Sequence, residues 1–174
     1  YIRMKAKLLL CILLVAKFLS GQQTLAQSSE ENFVTIIEAK PISELWINPG
    51  LYSYHYDHTS GLNNNNWGFG AEYRFSSVAS VTAGTFKNSN REQSNYLGVY
   101  WQPIGIGPIR VGVVGGGFNG YSTANNGGWF PAVLPALSYE YERVGLNVLF
   151  VPTISDRVHG AISLQLKLKL FDGN

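Results

Sequence analysis

The sequence predicts an all-β fold, an eight-stranded antiparallel transmembrane up-and-down β-barrel preceded by a short N-terminal amphipathic helix, and three observations predict it. Only 14% of the 174 residues are charged, which is little for a surface facing water on every side. From Leu45 onward, segments of about ten residues rich in Tyr, Val, Phe and Gly follow one another with turn residues between them, the strand habit of an outer-membrane barrel. The connections are short (Ser76-Ser77, Glu142) at one end and long (58–65, 89–93, 119–128, 153–158) at the other, with Gln102 to Gly107 intermediate.

Residues 1–26 read as a signal peptide. Lys5 and Lys7 open the apolar run Leu8 to Leu19, which leads to Thr24-Leu25-Ala26 with a small residue at the cut. Lys17 interrupts the run, whereas a spanning helix needs about 20 apolar residues. Cys11, the only cysteine, falls in this leader, so residues 27–174 hold no disulfide, thiol nucleophile or cysteine metal site. Past residue 26, nine basic side chains stand against eleven acidic ones, a net charge of −2 that implies no nucleic-acid partner.

The segment 27–44 is expected to carry the helix. Ser28 and Glu31 have capping-box spacing, and Phe33, Ile36 and Ile37 share one helical face until Pro41 stops the pattern. A frayed tail and a helix lying in the membrane interface both fit that pattern. The barrel, 45–174, comes next, with strands at 45–57, 66–76, 78–88, 94–103, 108–118, 129–141, 143–152 and 159–171. The last strand alternates most cleanly, with Ile162, Leu164, Leu166, Leu168 and Leu170 on one face and Ser163, Gln165, Lys167 and Lys169 on the other. In the second, Trp67, Phe69, Ala71, Tyr73 and Phe75 oppose Gly68, Gly70, Glu72 and Arg74. A face of glycine and charge makes a poor dry core, so the apolar face is expected outward, toward lipid.

With the short turns at the periplasmic end, Glu72, Arg74, Arg110, Asn147, Gln165, Lys167 and Lys169 fall in the lower half of the lumen as a polar plug. Above them Gly68, Gly70, Gly98, Gly112 and Gly116 share the inward parity. Ordinary side chains fill an eight-stranded barrel, so these glycines either ease its curvature or reserve a slot for an acyl chain, closed below by Tyr100. Pro131 and Pro135 face Pro152 on the adjoining strand. Proline cannot donate a ladder hydrogen bond, so that seam is either locally kinked or open to lateral passage of lipid.

His55 ends the first strand and Asn88-Ser89 end the third, so the three meet at the outer rim as a candidate base and nucleophile, or as solvated polar surface. Asp57, His58 and His159 match no established metal-ligand pattern, and Gly115-Gly116-Gly117 lacks the lysine and helix of a phosphate loop. Neither a metal nor a cofactor is expected.

These residues resemble the lipid A palmitoyltransferases of the outer membrane over essentially all of 45–171. The resemblance is carried by Ser53-Tyr54-His55-Tyr56-Asp57, Trp67-Gly68-Phe69-Gly70, Phe86-Lys87-Asn88-Ser89, Trp129-Phe130-Pro131-Ala132-Val133-Leu134-Pro135 and Val151-Pro152, in that order. It implies transfer of a fatty acyl chain from a phospholipid donor to lipid A or a related glycolipid by a barrel, expected as a monomer in the bacterial outer membrane. The family's functional His and Ser map to His55 and Ser89, and its Asp is replaced by Asn88, with Asp57 as a possible substitute. Its pocket-floor glycine maps to Tyr100, two residues after Gly98, which implies an acyl chain shorter than palmitate. The alternatives are a non-enzymatic structural or adhesive barrel, and a lipid A deacylase.

Overall fold

The computed structural model describes residues 33–154 and 158–173, all within one compact unit. The leader, Ser28, Glu31, Asp156 and Arg157 lie outside the described residues.

Nine strands run in order: β1 (Val34–Ile36), β2 (Pro41–His55), β3 (Asn65–Ser76), β4 (Ala79–Lys87), β5 (Gln93–Ile106), β6 (Ile109–Phe118), β7 (Phe130–Tyr141), β8 (Val144–Val151) and β9 (Ala161–Asp172). β2 to β9 pair antiparallel with their chain neighbours, and β9 returns to pair with β2, so the eight close on themselves as an up-and-down barrel. Closure leaves neither a first nor a last strand unpartnered. Two-residue turns at Ser77-Val78, Gly107-Pro108 and Glu142-Arg143 mark one end, and longer loops the other. Strand boundaries fall close to the expected ones, except that β2 begins at Pro41 rather than Leu45 and β5 runs on to Ile106 rather than stopping at residue 103.

The helix expected across Phe33, Ile36 and Ile37 is corrected by the structure, because 34–36 form a strand. β4 stops pairing with β5 at Ala79↔Trp101, which leaves the last turn of β5 with an open edge. β1 fills it through Val34↔Ile106 and Ile36↔Ile104, with further bonds from Ile37 N to Pro103 O and from Gly107 N to Phe33 O. Satisfying those backbone groups outweighs a local helical spacing that offers no packed partner.

Large apolar side chains point outward. Trp67, Phe69, Leu97, Val133 and Leu166 are all more than half exposed on the barrel's outer face. Inside, the short-turn half is filled by charge. Lys167 Nζ lies 2.9 Å from Glu72 and 2.7 Å from Glu140, Arg74 bridges Glu44 and Glu140, Arg110 reaches Glu140 at 2.6 Å, and Lys169 reaches Glu44 at 2.7 Å. Trp46, fully buried, donates to Glu44 and has Lys167 Nζ 4.7 Å from its ring centroid. Asn147 joins Ser138, Gln165, Glu72 and Tyr100. Burying ions is costly unless each is paired and hydrogen-bonded, and here the pairing is reciprocal around the ring. The plug expected from sequence is present, with Glu44 and Glu140 as its additional acids.

Candidate functional site

The long-loop end carries the chemistry, and β2 delivers its first member through a break in its own alternation. Glu44, Trp46 and Asn48 face inward, and so do Ser53 and His55, so the parity changes from even to odd within one strand. The change occurs at Gly50, where φ is +98° and where the ladders to both β3 and β9 shift register. Asn48 Oδ1 accepts from Gly50 N at 3.2 Å and braces the bulge. A bulge absorbs one extra residue and re-aims the side chains beyond it, and here it keeps His55 in the lumen, 3% exposed.

Four consecutive asparagines, Asn63 to Asn66, lead into β3 between the ends of β2 and β4, and three of them tie those ends together. Asn63 N donates to Ser89 O at 2.9 Å, and Asn66 Nδ2 donates to Lys87 O at 2.8 Å. Asn64 Oδ1 lies 2.8 Å from His55 Nδ1, while His55 Nε2 lies 2.8 Å from Ser89 Oγ. An amide oxygen only accepts, so this bond requires the proton on Nδ1 and leaves the Nε2 lone pair toward the Ser89 hydroxyl. Asn64, His55 and Ser89 are thus hydrogen-bonded in line, an arrangement that can serve as orienter, base and nucleophile.

Asn88 does not join that line. It is fully buried, and both ends of its amide are engaged in the loop: Nδ2 donates to Ser94 Oγ and Gly120 O, and Oδ1 accepts from the amides of Asn90 and Glu92. Asp57 is likewise turned into its own loop, where hydrogen bonds from Ser60 and then Thr59 hold its carboxyl well below the usual range. His58 bonds Tyr54 at 3.1 Å. Among the described residues, no three His, Cys, Asp or Glu side chains converge as metal ligands.

The line opens onto a cavity of about 360 Å³, within the ~300–1,000 Å³ span of small-molecule sites. One corner is polar, with His55, Asn66 and Ser89, and the body is apolar, with Leu51, Phe130, Leu134, Leu149 and Val151 among the lining residues. Tyr100 forms a buried cluster with Val114, Leu134, Ala136 and Leu149, so it lies one layer behind the cavity's lining instead of forming its surface.

The glycines named from sequence do not line the cavity. Gly70 lies under the Tyr96 hydroxyl and the Asn48 amide, Gly68 against Thr85 O and Phe86, and Gly98 against Gly115 O. They admit close neighbours, while the empty volume lies across the lumen, beside β7, β8 and β9. The prolines are at that volume's edge. β7 pairs with β8 only from Ala136↔Leu149 to Tyr141↔Val144, although β6 pairs with β7 from Phe130 to Tyr139 and β9 pairs with β8 along its whole length. From Phe130 to Pro135 the β7–β8 ladder is absent, and Pro131 and Pro152 both line the cavity.

Asn64 was not found from sequence, since a run of four asparagines reads as a loop. The signal was present in its position, on the one connection lying between His55 and Ser89. No protein-family model matches the chain, and no curated protein matches it either.

Proposed function

We propose that this chain is an outer-membrane acyltransferase that moves a fatty acyl chain from a phospholipid to a hydroxyl of lipid A or a related glycolipid. The observation that carries this reading is the Asn64–His55–Ser89 line at the polar corner of an apolar cavity. The outer surface supports the location. Tyr54, Tyr56, Trp67 and Trp129 are exposed toward the long loops, and Tyr73, Phe75, Trp101, Tyr141 and Phe171 toward the short turns. Between them Val81, Leu97, Val99, Val133, Leu164 and Leu166 form an aliphatic band. Two aromatic girdles about an apolar band suit a bilayer.

In this mechanism the Ser89 hydroxyl attacks the ester carbonyl of the donor, and its proton passes to His55 Nε2 as the Oγ–C bond forms. Asn64 holds the imidazole in the tautomer that can accept that proton. The tetrahedral intermediate collapses, and the departing lysophospholipid oxygen takes the proton back from His55. The acceptor hydroxyl then repeats the sequence on the acyl-enzyme and frees Ser89. Without a carboxylate, the imidazolium receives orientation rather than charge from its partner. A low-dielectric site strengthens the remaining hydrogen bonds, and a positioned base contributes about 10²- to 10⁴-fold.

Mass spectrometry of lipid A and phospholipids tests this in bacteria expressing the chain or its His55→Ala and Ser89→Ala variants at equal barrel yield. A gain of one acyl chain on lipid A, matched by lysophospholipid and absent in both variants, is the expected result. Fatty acid and lysophospholipid without that gain would assign the acceptor as water. Unchanged lipids around a folded barrel would sink the reading.

A further inference from the structure

Ser89 has a second polar neighbour besides His55. Tyr121, in the loop between β6 and β7, lines the same cavity as Ser89, with its phenol close enough for the Ser89 side chain to influence it. Two staples place it there, one on each side. Gly120 O accepts from Asn88 Nδ2 at 2.8 Å, and Ser122 N donates to Glu92 Oε2 at 3.1 Å. The residues flanking Tyr121 are thus fastened to residues that bracket Ser89 in sequence. The Tyr121 carbonyl accepts from the amides of Ala124 and Gly127, which folds the loop into a tight turn behind it. Its ring stands edge-on to Phe130, 6.0 Å between centroids and 75° between planes. Backbone and ring are therefore both fixed.

We infer that the Tyr121 hydroxyl donates the hydrogen bond that stabilises the oxyanion formed when Ser89 attacks an acyl ester. The inference rests on the acyl-transfer reading above. When Ser89 gives its proton to His55, negative charge develops on the acyl oxygen, which is bonded to the same carbon as Oγ. A phenol held from both sides in the cavity that Ser89 lines needs only a small movement to reach that oxygen, and preorganised donors are worth most where they need not reorient. Burial pushes the Tyr121 phenol up to about 12, partly offset by the Ser89 side chain, so the donor keeps its proton at neutral pH. This also gives Asn88 a purpose. An Asp there could still accept from Asn90 and Glu92 but could not donate to Gly120, and the staple on Tyr121 would be lost.

Turnover of p-nitrophenyl palmitate and p-nitrophenyl laurate by the detergent-folded barrel tests the assignment through Tyr121→Phe, which keeps the ring against Phe130 and removes only the hydroxyl. The expected result is a fall in kcat of about 10²- to 10³-fold with KM unchanged and the folded, heat-modifiable barrel retained. Asn88→Asp should lower kcat less, in the same direction. Tyr121→Phe with kcat within a few-fold of wild type, or with a raised KM and unchanged kcat, overturns the oxyanion role while leaving acyl transfer intact. A folded wild-type barrel that releases no p-nitrophenol in a Ser89-dependent manner overturns the acyl-transfer reading, and this role with it.

Discussion

At the scale of single residues, the line of Asn64, His55 and Ser89 makes a prediction that separates orientation from charge. Asn64→Ala removes the only acceptor shown for His55 Nδ1, freeing the ring to rotate and to carry its proton on either nitrogen. Ester turnover should fall by roughly 10²-fold, the lower end of what a positioned base supplies. Asn64→Asp keeps an oxygen at that place and adds a negative charge beside the imidazolium, so its kcat should equal or exceed that of wild type. A loss in Asn64→Asp as deep as in Asn64→Ala would remove Asn64 from the mechanism. His55 and Ser89 were legible in the sequence because each closes a strand at the same rim. Asn88 looked equally suitable, but four hydrogen bonds, to Asn90 and Glu92 in its own loop and to Ser94 and Gly120 beyond it, occupy its amide. Adjacency in sequence to a nucleophile does not decide which way a side chain turns.

At the scale of elements, alternation made six of the eight barrel strands readable nearly to their ends, since one lipid-facing and one lumen-facing row leave a plain period of two. Departures from that period escaped. The spacing of Phe33, Ile36 and Ile37 fits a helix, yet the open end of β5 supplies the partner that makes it a strand, and that edge exists only after the barrel closes. The Gly50 bulge escaped for a similar reason, because a strand read at constant parity cannot show where one residue is absorbed. The bulge predicts an unusual order of severity. A side chain at Gly50 would run into the carbonyl of Asn66 on β3, at a backbone angle that β-branched residues avoid. Gly50→Val therefore opposes the bulge, and a regular strand through all the residues turns His55 outward. Against β9, where β2 takes five steps from Ile47 to Tyr52 while β9 takes four from Leu168 to Leu164, deleting Gly50 removes the extra residue and leaves both Asn48 and His55 facing in. In folded barrels of equal yield, Gly50→Val should lose on the order of 10²-fold or more in ester turnover, the cost of misplacing a reacting group. The Gly50 deletion should lose much less, and the reverse order would show that the bulge does not aim His55.

At the scale of the whole molecule, the barrel divides into a half that is closed and a half that can admit a ligand. The short-turn half is crossed by paired charges reaching from β2, β3, β6, β7 and β9, so motion there would separate buried ions. The long-loop half has the cavity, and its wall lacks the β7–β8 ladder above Ala136. The β2–β9 ladder is interrupted only between Ile47↔Leu168 and Tyr52↔Leu164 and closes again toward the long loops, so the β7–β8 seam, which stays unpaired to the rim, is the wider opening for a lipid entering from the side. Extending the β7–β8 register upward sets Val133 opposite Pro152, both exposed and both at the mouth of the cavity in this seam. Cysteines at these two positions, in a chain freed of Cys11, can be bridged by a short bis-methanethiosulfonate linker across the seam. The bridged barrel should lose at least ~10-fold of its phospholipid acyl transfer in bilayers, regain it when a reductant cleaves the linker, and keep its reactivity toward a small water-soluble ester that reaches Ser89 through the loops. Entry of a whole lipid tail requires the strands to part, whereas a short ester does not, so the difference between the two substrates reports the seam and not the chemistry. Full phospholipid turnover with the linker in place would mean that the donor reaches Ser89 by another route, over the rim, and that the three prolines serve only to bend the wall.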